Sequence, residues 1–419
     1  NKENNVFQLI VQYGAGEREF PKLGYAAQLM NNAGIMGAYE PQELKEELSK
    51  LNATCHVTAD EDNLYIIMEG YEATLPQACQ LLSRQILMPK LDEKQLARLK
   101  GSAMGMRQQR KDNVSILNEA LRQYMLYGEK SDYIKELTDK EIYELQISEL
   151  TGDINRASNY EAKVFFTGTL PFDQVYDILS KNLPLVANER PSNSPQAKEM
   201  MPVTENTVYF LPNNDAEQAQ IHLYIPMQKA DKKDDVLRSA FNQYFGLDFT
   251  GIVLNEIREK RSMAYTAYAF VGTQGIAGKA SYLRGYIGTQ NDKANDALDV
   301  LMSLVNDMPK NPERIGNIKS YLRQAMLTSH PSFRNKAMEL VDLGYRGYTD
   351  DPAKENLPKV DALTFDDIVK FYEENIKGKP YCISIMGNPK DIDLKRLEKF
   401  GKVVKLNERK LFNTKDALF

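Results

Sequence analysis

Apolar and polar positions along the chain switch repeatedly between two periods, and the switches mark its elements. Val6–Tyr13 (Val-Phe-Gln-Leu-Ile-Val-Gln-Tyr) is rich in β-branched and aromatic residues and predicts a buried strand. After a Gly14-Ala15-Gly16 turn, Leu23, Ala26, Ala27 and Met30 recur at helical spacing and predict a helix to about Asn32, with Gly34 as its stop. A second helix is expected from Pro41 to Leu51, with the proline in its first turn. Thr54–Ala59 and Leu64–Glu69 flank Asp60-Glu61-Asp62-Asn63 and read as an antiparallel hairpin. Helices are expected over Leu75–Leu87, from Leu91 to about Gln109, over Leu117–Leu126 and over Asp139–Leu150. Lys163–Thr167 is a strand ending at Gly168.

Residues 187–206 break the pattern. They lack periodicity and carry Pro191, Pro195 and Pro202, which marks a boundary between domains. The order then repeats. Val208–Leu211 and Ala219–Ile225 predict strands, Val236–Gly246 a helix, and Leu254–Arg261 a helix leading into the strand Ala264–Phe270. Gly272, Gly275 and Gly278 predict a loop before the return strand Lys279–Gly288. A helix from Asn291 to Asn306 precedes Met308-Pro309-Lys310, as the earlier helix precedes Met88-Pro89-Lys90. Pro309 lies 220 residues after Pro89, and Leu254 lies 210 after Leu44. Phe165-Phe166-Thr167-Gly168 has its counterpart in Ser384-Ile385-Met386-Gly387. One supersecondary order at a near-constant offset is a duplication, with a period far too long for a solenoid. The expected fold is therefore α+β: two homologous domains of mostly antiparallel sheet with helices packed on it. Their expected bounds are 1–190 and 207–419, with 191–206 as the linker.

Composition narrows the classes. The 419 residues hold 53 Lys+Arg against 58 Asp+Glu, a net charge of −5, so there is no basic footprint for nucleic acid. No window approaches the ~18 consecutive apolar residues of a membrane helix. Three cysteines, Cys55, Cys79 and Cys382, argue against a disulfide-stapled scaffold. Asn1 is not an initiator methionine and a strand begins at Val6, so a removed leader or an origin late in a longer polypeptide is expected.

The chemistry is sparse. His56, His222 and His330 are scattered, and no His/Cys cluster has metal-ligand spacing. His56 and His222 fall in expected strands and read as satisfied structural histidines, and Cys55 and Cys79 as small buried hydrophobes. No Gly-x-Ser-x-Gly elbow accompanies His330. The glycines at 272, 275 and 278 join two strands and open no helix, so they form neither a dinucleotide fingerprint nor a phosphate loop. One stretch is sharper: Leu254 to Tyr268 joins a charged helix end to a strand, and Arg258 and Tyr265 straddle the junction. A guanidinium fork and a phenol held on two regular elements could converge on one carbonyl or developing oxyanion. The plainer alternative is a solvated helix end beside a core tyrosine.

This stretch, with Gly285-Tyr286-Ile287-Gly288-Thr289, Met308-Pro309 and the closing Gly387-Asn388-Pro389 and Leu397-Glu398-Lys399-Phe400-Gly401, resembles the C-terminal part of the pitrilysin/insulinase family of zinc metallopeptidases. The resemblance implies one half of a clamshell that encloses a peptide chamber. It further implies that Arg258 and Tyr265, seven residues apart, contact substrate in trans to a zinc ion. In that family an inverted His-x-x-Glu-His motif lies on the first long helix of the other half. Here the corresponding positions fall on Ala27, Met30 and Asn31, none of which supplies the expected ligand or base. The resemblance thus implies a degenerate, zinc-free half, with no cofactor of its own. Zinc and the general base would come from an N-terminal half or subunit, and the substrate would be a peptide. This chain alone would be inactive. Two alternatives keep the fold: a separately encoded non-catalytic subunit of a two-chain peptidase, and a non-enzymatic scaffold or peptide-binding relative.

Overall fold

The structure, a computed structural model, describes residues 4–184, 190–246 and 250–414. Residues 185–189, where the expected boundary begins, lie outside the described residues. The strands are β1 (Val6–Tyr13), β2 (Thr54–Ala59), β3 (Leu64–Tyr71), β4 (Ala162–Thr167), β5 (Thr207–Pro212), β6 (Gln218–Lys229), β7 (Ala264–Thr273), β8 (Ala280–Gln290), β9 (Cys382–Gly387) and β10 (Lys402–Lys405). The longer helices of the first half are α1 (Leu23–Met30), α2 (Pro41–Lys50), α3 (Leu75–Leu87), α4 (Glu93–Gln108), α5 (Val114–Tyr127), α6 (Ile147–Ala157) and α7 (Phe172–Asn182). Those of the second are α8 (Asp235–Phe245), α9 (Ala294–Asn306), α10 (Ile315–Thr328), α11 (Lys336–Tyr345), α12 (Pro352–Ala362) and α13 (Phe365–Asn375).

The first sheet runs β2-β3-β1-β4 and the second β7-β8-β6-β9-β5-β10. The first four strands of each share one order, and all their pairings are antiparallel. The second sheet adds two parallel strands, β5 and β10. Strand alternation sends Phe7, Leu9, Val11 and Tyr13 into the first core, and Ala219, Ile221, Leu223 and Ile225 into the second. The α+β class and the duplicated order read from the sequence are what the fold displays.

Several local expectations change. The single helix expected over Asp139–Leu150 is two, Asp139–Tyr143 and α6, because Gln146 is extended and starts a new helix after the buried Leu145. α7 had no reading in the sequence. α1 ends at Met30, and Gly34 pairs instead, with Ile35, against Pro89 and Lys90. Gly272 lies inside β7, and only Gly275 and Gly278 take the positive φ of the loop, 75° and 73°. His56 is exposed rather than packed, and Cys55 is half-buried.

The halves exchange helices across the molecule. α5, from the first half, lies on the outer face of the second sheet, where Leu117, Ala120 and Leu121 pack with Leu211, Met386, Leu406 and Leu411. Its Asn118 Oδ1 accepts from Nε2 of the buried His222 on β6, at 3.1 Å. α11, 222 residues later, lies against β4 of the first sheet, buries Ala337 and leaves Leu340 67% exposed. The segment 190–206 forms no helix or strand and is bonded to both halves: Asn193 N–H donates to Gly14 (2.9 Å), and Gln274 donates to the Lys198 carbonyl.

Candidate functional site

Arg258 and Tyr265 open on the same surface cavity. Together with Glu259, Ser262, Met263, Ala264, Gln290 and Lys293 they line one surface cavity of about 350 Å³. Tyr265 is 61% exposed, which removes the core-tyrosine alternative, and the Arg258 side chain is half-exposed with Glu259 3.6 Å away.

Each of the two sits on a local departure from regular structure. The expected helix Leu254–Arg261 is only Ile252–Leu254, and Asn255–Glu259 is a π turn, closed by the Lys260 N–H donating five residues back to Asn255 at 2.9 Å. Ile252, Val253, Leu254 and Ile257 anchor this turn in the core. Glu256 accepts from Lys260 and Arg261, each at 2.5 Å, and the Lys260 bond first, then Arg261, holds its carboxyl below the usual range. Arg258 is thereby left as the guanidinium facing the cavity. Tyr265 lies at a β-bulge: Gly288 pairs with Thr266 and the next residue, Thr289, pairs with Ala264, so Tyr265 is the extra residue. A bulge re-aims a side chain, and π turns and bulges recur at functional sites. Lys293, on the opening turn of α9, donates to the Ser262 carbonyl at 3.3 Å and adds a second cation, which sequence reasoning missed.

The equivalent junction in the first half is regular. Asn52 and Ser262, 210 residues apart, both turn through positive φ (48° and 49°). Ala53 N–H donates to Leu48, but Met263 N–H donates to Ile257, one residue further back than that offset predicts. One residue is therefore inserted between Ile257 and Ser262, and Ile257 takes the buried place of Leu48. β2 and β3 pair without a register shift, so the first half has no extra residue where Tyr265 stands, and Cys55, 210 positions earlier, sits on no bulge.

The degenerate motif positions are committed elsewhere. Ala27 and Met30 are buried in the first core. Asn31 donates to the Val57 carbonyl (2.8 Å) and accepts from the Val57 N–H (2.7 Å). These residues do not fit a zinc ion: two are apolar and packed, and the third has both amide groups bonded to backbone. Among the described residues no group of three or more His, Cys, Asp or Glu is arranged for a metal. The second half repeats the bond, with Asn242 of α8 donating to the Val271 carbonyl (3.0 Å) and accepting from its N–H (2.6 Å). One Asn per half thus clips the edge strand of its sheet, a role spacing alone did not reveal. His222 is buried with Nδ1 unpartnered among the described residues. Burial, then the Arg284 and Arg122 charges, pull its pKa down to about 3.

Residues 158–319 match the family model described as peptidase M16 inactive domain. The fold is similar to the peptidase M16 inactive domain from Pseudomonas fluorescens, with a TM-score of 0.72 at 16% identity, covering 94% of this chain and 95% of that one. It is also similar to the periplasmic protease PqqL from Escherichia coli, at TM-score 0.70 and 13% identity. That match covers 92% of this chain and 43% of PqqL. A protease from Helicobacter pylori matches at TM-score 0.66 and 14% identity, over 91% of this chain and 94% of that one. A search of the curated proteins finds no match. These findings bear out the resemblance to the pitrilysin/insulinase (M16) peptidases, in the form that lacks the zinc motif. Among the described residues no helix is long and apolar enough to cross a membrane.

Proposed function

We propose that this chain is the substrate-side, C-terminal half of a pitrilysin-like zinc metalloendopeptidase. In this reading residues 1–190 are a zinc-free peptidase-like domain, 191–206 a linker and 207–419 the domain carrying Arg258 and Tyr265. A partner half, on the same or another chain, supplies zinc and the general base, and the two halves close as a clamshell around a peptide or an unfolded segment. The observation that carries this reading is the convergence of Arg258 and Tyr265 on one exposed cavity, each placed there by an irregularity the other copy lacks. Arg258 offers a planar fork of donors and Tyr265 a single directional O–H, and both can donate to a peptide carbonyl as its oxygen gains charge. Neither residue needs to ionise or accept a proton for this. Their task is to bind and to orient.

The test is Tyr265→Phe in the complete enzyme. Loss of one oxyanion-type donor lowers kcat by about 10²–10³ with the thermal midpoint unchanged. Turnover equal to the unsubstituted enzyme would remove Tyr265 from the site.

A further inference from the structure

One face of the second sheet is only partly covered. α5 lies over β9 and β6, and beyond it the same face of β8 and β7 carries Tyr282, Arg284, Tyr286, Tyr268 and Phe270, all half-buried. Alternation along β8 fixes the side: Leu283 and Ile287 enter the core, so Arg284 is turned away from it. Register places Arg284 between Phe270 on β7 and Tyr224 on β6. The rings about that position pack on one another. Tyr286 lies 5.1 Å from His222 and 5.2 Å from Tyr268, Tyr268 is 6.0 Å from Phe270, and Tyr224 is 6.1 Å from Tyr282. Arg284 joins none of these contacts. Among the described residues it makes no hydrogen bond or ion pair, and its Nε is buried without a partner. Arg122 of α5, the other cation beside His222, is occupied, its Nε donating to Glu119 at 2.7 Å.

The first half shows the same position completed. Gly168 and Gly387 align β4 with β9 at an offset of 219. Gln12 then pairs with Lys163 and Tyr65 as Tyr224 pairs with Cys382 and Arg284, so Tyr65 is the counterpart of Arg284. Tyr65 has its partners: it donates to Asp60 at 2.9 Å and accepts from Gln12 at 3.4 Å. An unpaired guanidinium set among rings costs free energy that a bound carboxylate recovers, and the low local dielectric strengthens that pair.

We infer that Arg284 is a specificity residue that takes a carboxylate of the bound peptide, about five residues from the carbonyl held by Arg258 and Tyr265. The inference rests on the proposed function for the peptide and adds the chemistry which that peptide carries. The spacing comes from β7. This strand leaves the Arg258–Tyr265 cavity at Tyr265, passes the exposed Thr266 and reaches Phe270, opposite Arg284, five residues on. That is ~17 Å at ~3.4 Å per residue, the span of about five residues of extended peptide. The guanidinium fork matches a carboxylate with two parallel donors, whether of an acidic side chain or of the peptide's C-terminus. Arg284 touches no reacting atom, so its effect falls on binding.

The experiment uses the complete protein and unstructured peptides with blocked ends, in which one Glu replaces Gln at successive positions on either side of the cleaved bond. At a position about five residues away, Glu is expected to raise kcat/KM about tenfold over Gln, through KM. Arg284→Gln removes that preference, and Arg284→Glu turns it toward Lys. A second series ends in a free carboxylate at the same distances, which separates a terminal from a side-chain source. No preference in either series, or one that survives in Arg284→Gln, overturns the inference. The two assignments fail separately, because Arg284→Gln acts on KM and Tyr265→Phe on kcat. If the complete protein cleaves nothing, the proposed function fails, and anisotropy titration of the same labelled peptides decides the carboxylate site by itself. Tighter binding of the carboxylate form, lost in Arg284→Gln, supports it, and equal affinities overturn it.

Discussion

Leu48 and Arg258 stand at the same helix-to-strand junction of the two halves and do opposite things. In the first half the helix is regular, Leu48 points into the core, and the strand beyond pairs in continuous register. In the second half one residue is inserted in the helix and one in the strand. The buried position passes to Ile257, and Arg258 and Tyr265 turn outward to a common cavity. The lesson is that a duplicated fold gains a candidate site without changing its core: two single-residue insertions re-aim two side chains while the anchors around them stay buried. The helix exchange differs in the same graded way. α5 is well buried on the second sheet, while α11 sits loosely on the first.

The comparison can be broken at several points. The largest effect is expected at the junction itself. Tyr265→Phe should cost about 10²–10³ in kcat, and Cys55→Ala, 210 positions earlier on the regular strand, should leave kcat unchanged. A matching loss from both would mean that the irregularities carry no special role. Next is the helix exchange. Leu121→Ala on α5 removes a fully buried side chain and should destabilise by about 2–5 kcal/mol in urea unfolding. Leu340→Ala on α11 should stay within about 0.5 kcal/mol. Equal losses would show that the two exchanged helices are held alike.

The contact under α5 also sets a pH dependence. The folded-state pKa of His222 is about 3, below the ~6.5 of an unfolded chain. Between those values the unfolded state binds the proton and the folded state does not. This stability is therefore fully present above pH ~6.5 and is lost as pH falls toward 3. The difference in urea midpoint between pH 7 and pH 5 should shrink in His222→Gln, and an unchanged difference would acquit this histidine. The smallest effect, and the one expected to be symmetric, concerns the edge clips. Asn31→Ala and Asn242→Ala each orphan the backbone groups of one valine and should each cost about 1–3 kcal/mol. A large difference between them would show that the two clips are not equivalent.

Much of the fold was legible because it depends on local pattern. The bounds of β1, β2 and α3 match their expected limits, since a strand or amphipathic helix buried on one face must write its period into the chain. The break at Gln146 was not legible, because Asp139–Leu150 keeps helical spacing across it and only packing interrupts the backbone. Arg258 and Tyr265 were found by spacing and resemblance. Lys293 was not, since it joins the cavity from a helix start some thirty residues later, through a turn that only the assembled sheet brings near.

Read by itself, the sequence determined the α+β class, the duplication, the missing zinc motif and the residues most worth suspecting. Each follows from residue types and their spacing, which need no knowledge of distant neighbours. The tertiary structure alone decided which suspects face solvent and which helix lies on which sheet. Those depend on where an inserted residue is absorbed and on what packs from far along the chain. Asn31 illustrates the divide: its place on α1 was readable, but its bond to Val57 exists only once helix and strand are packed side by side.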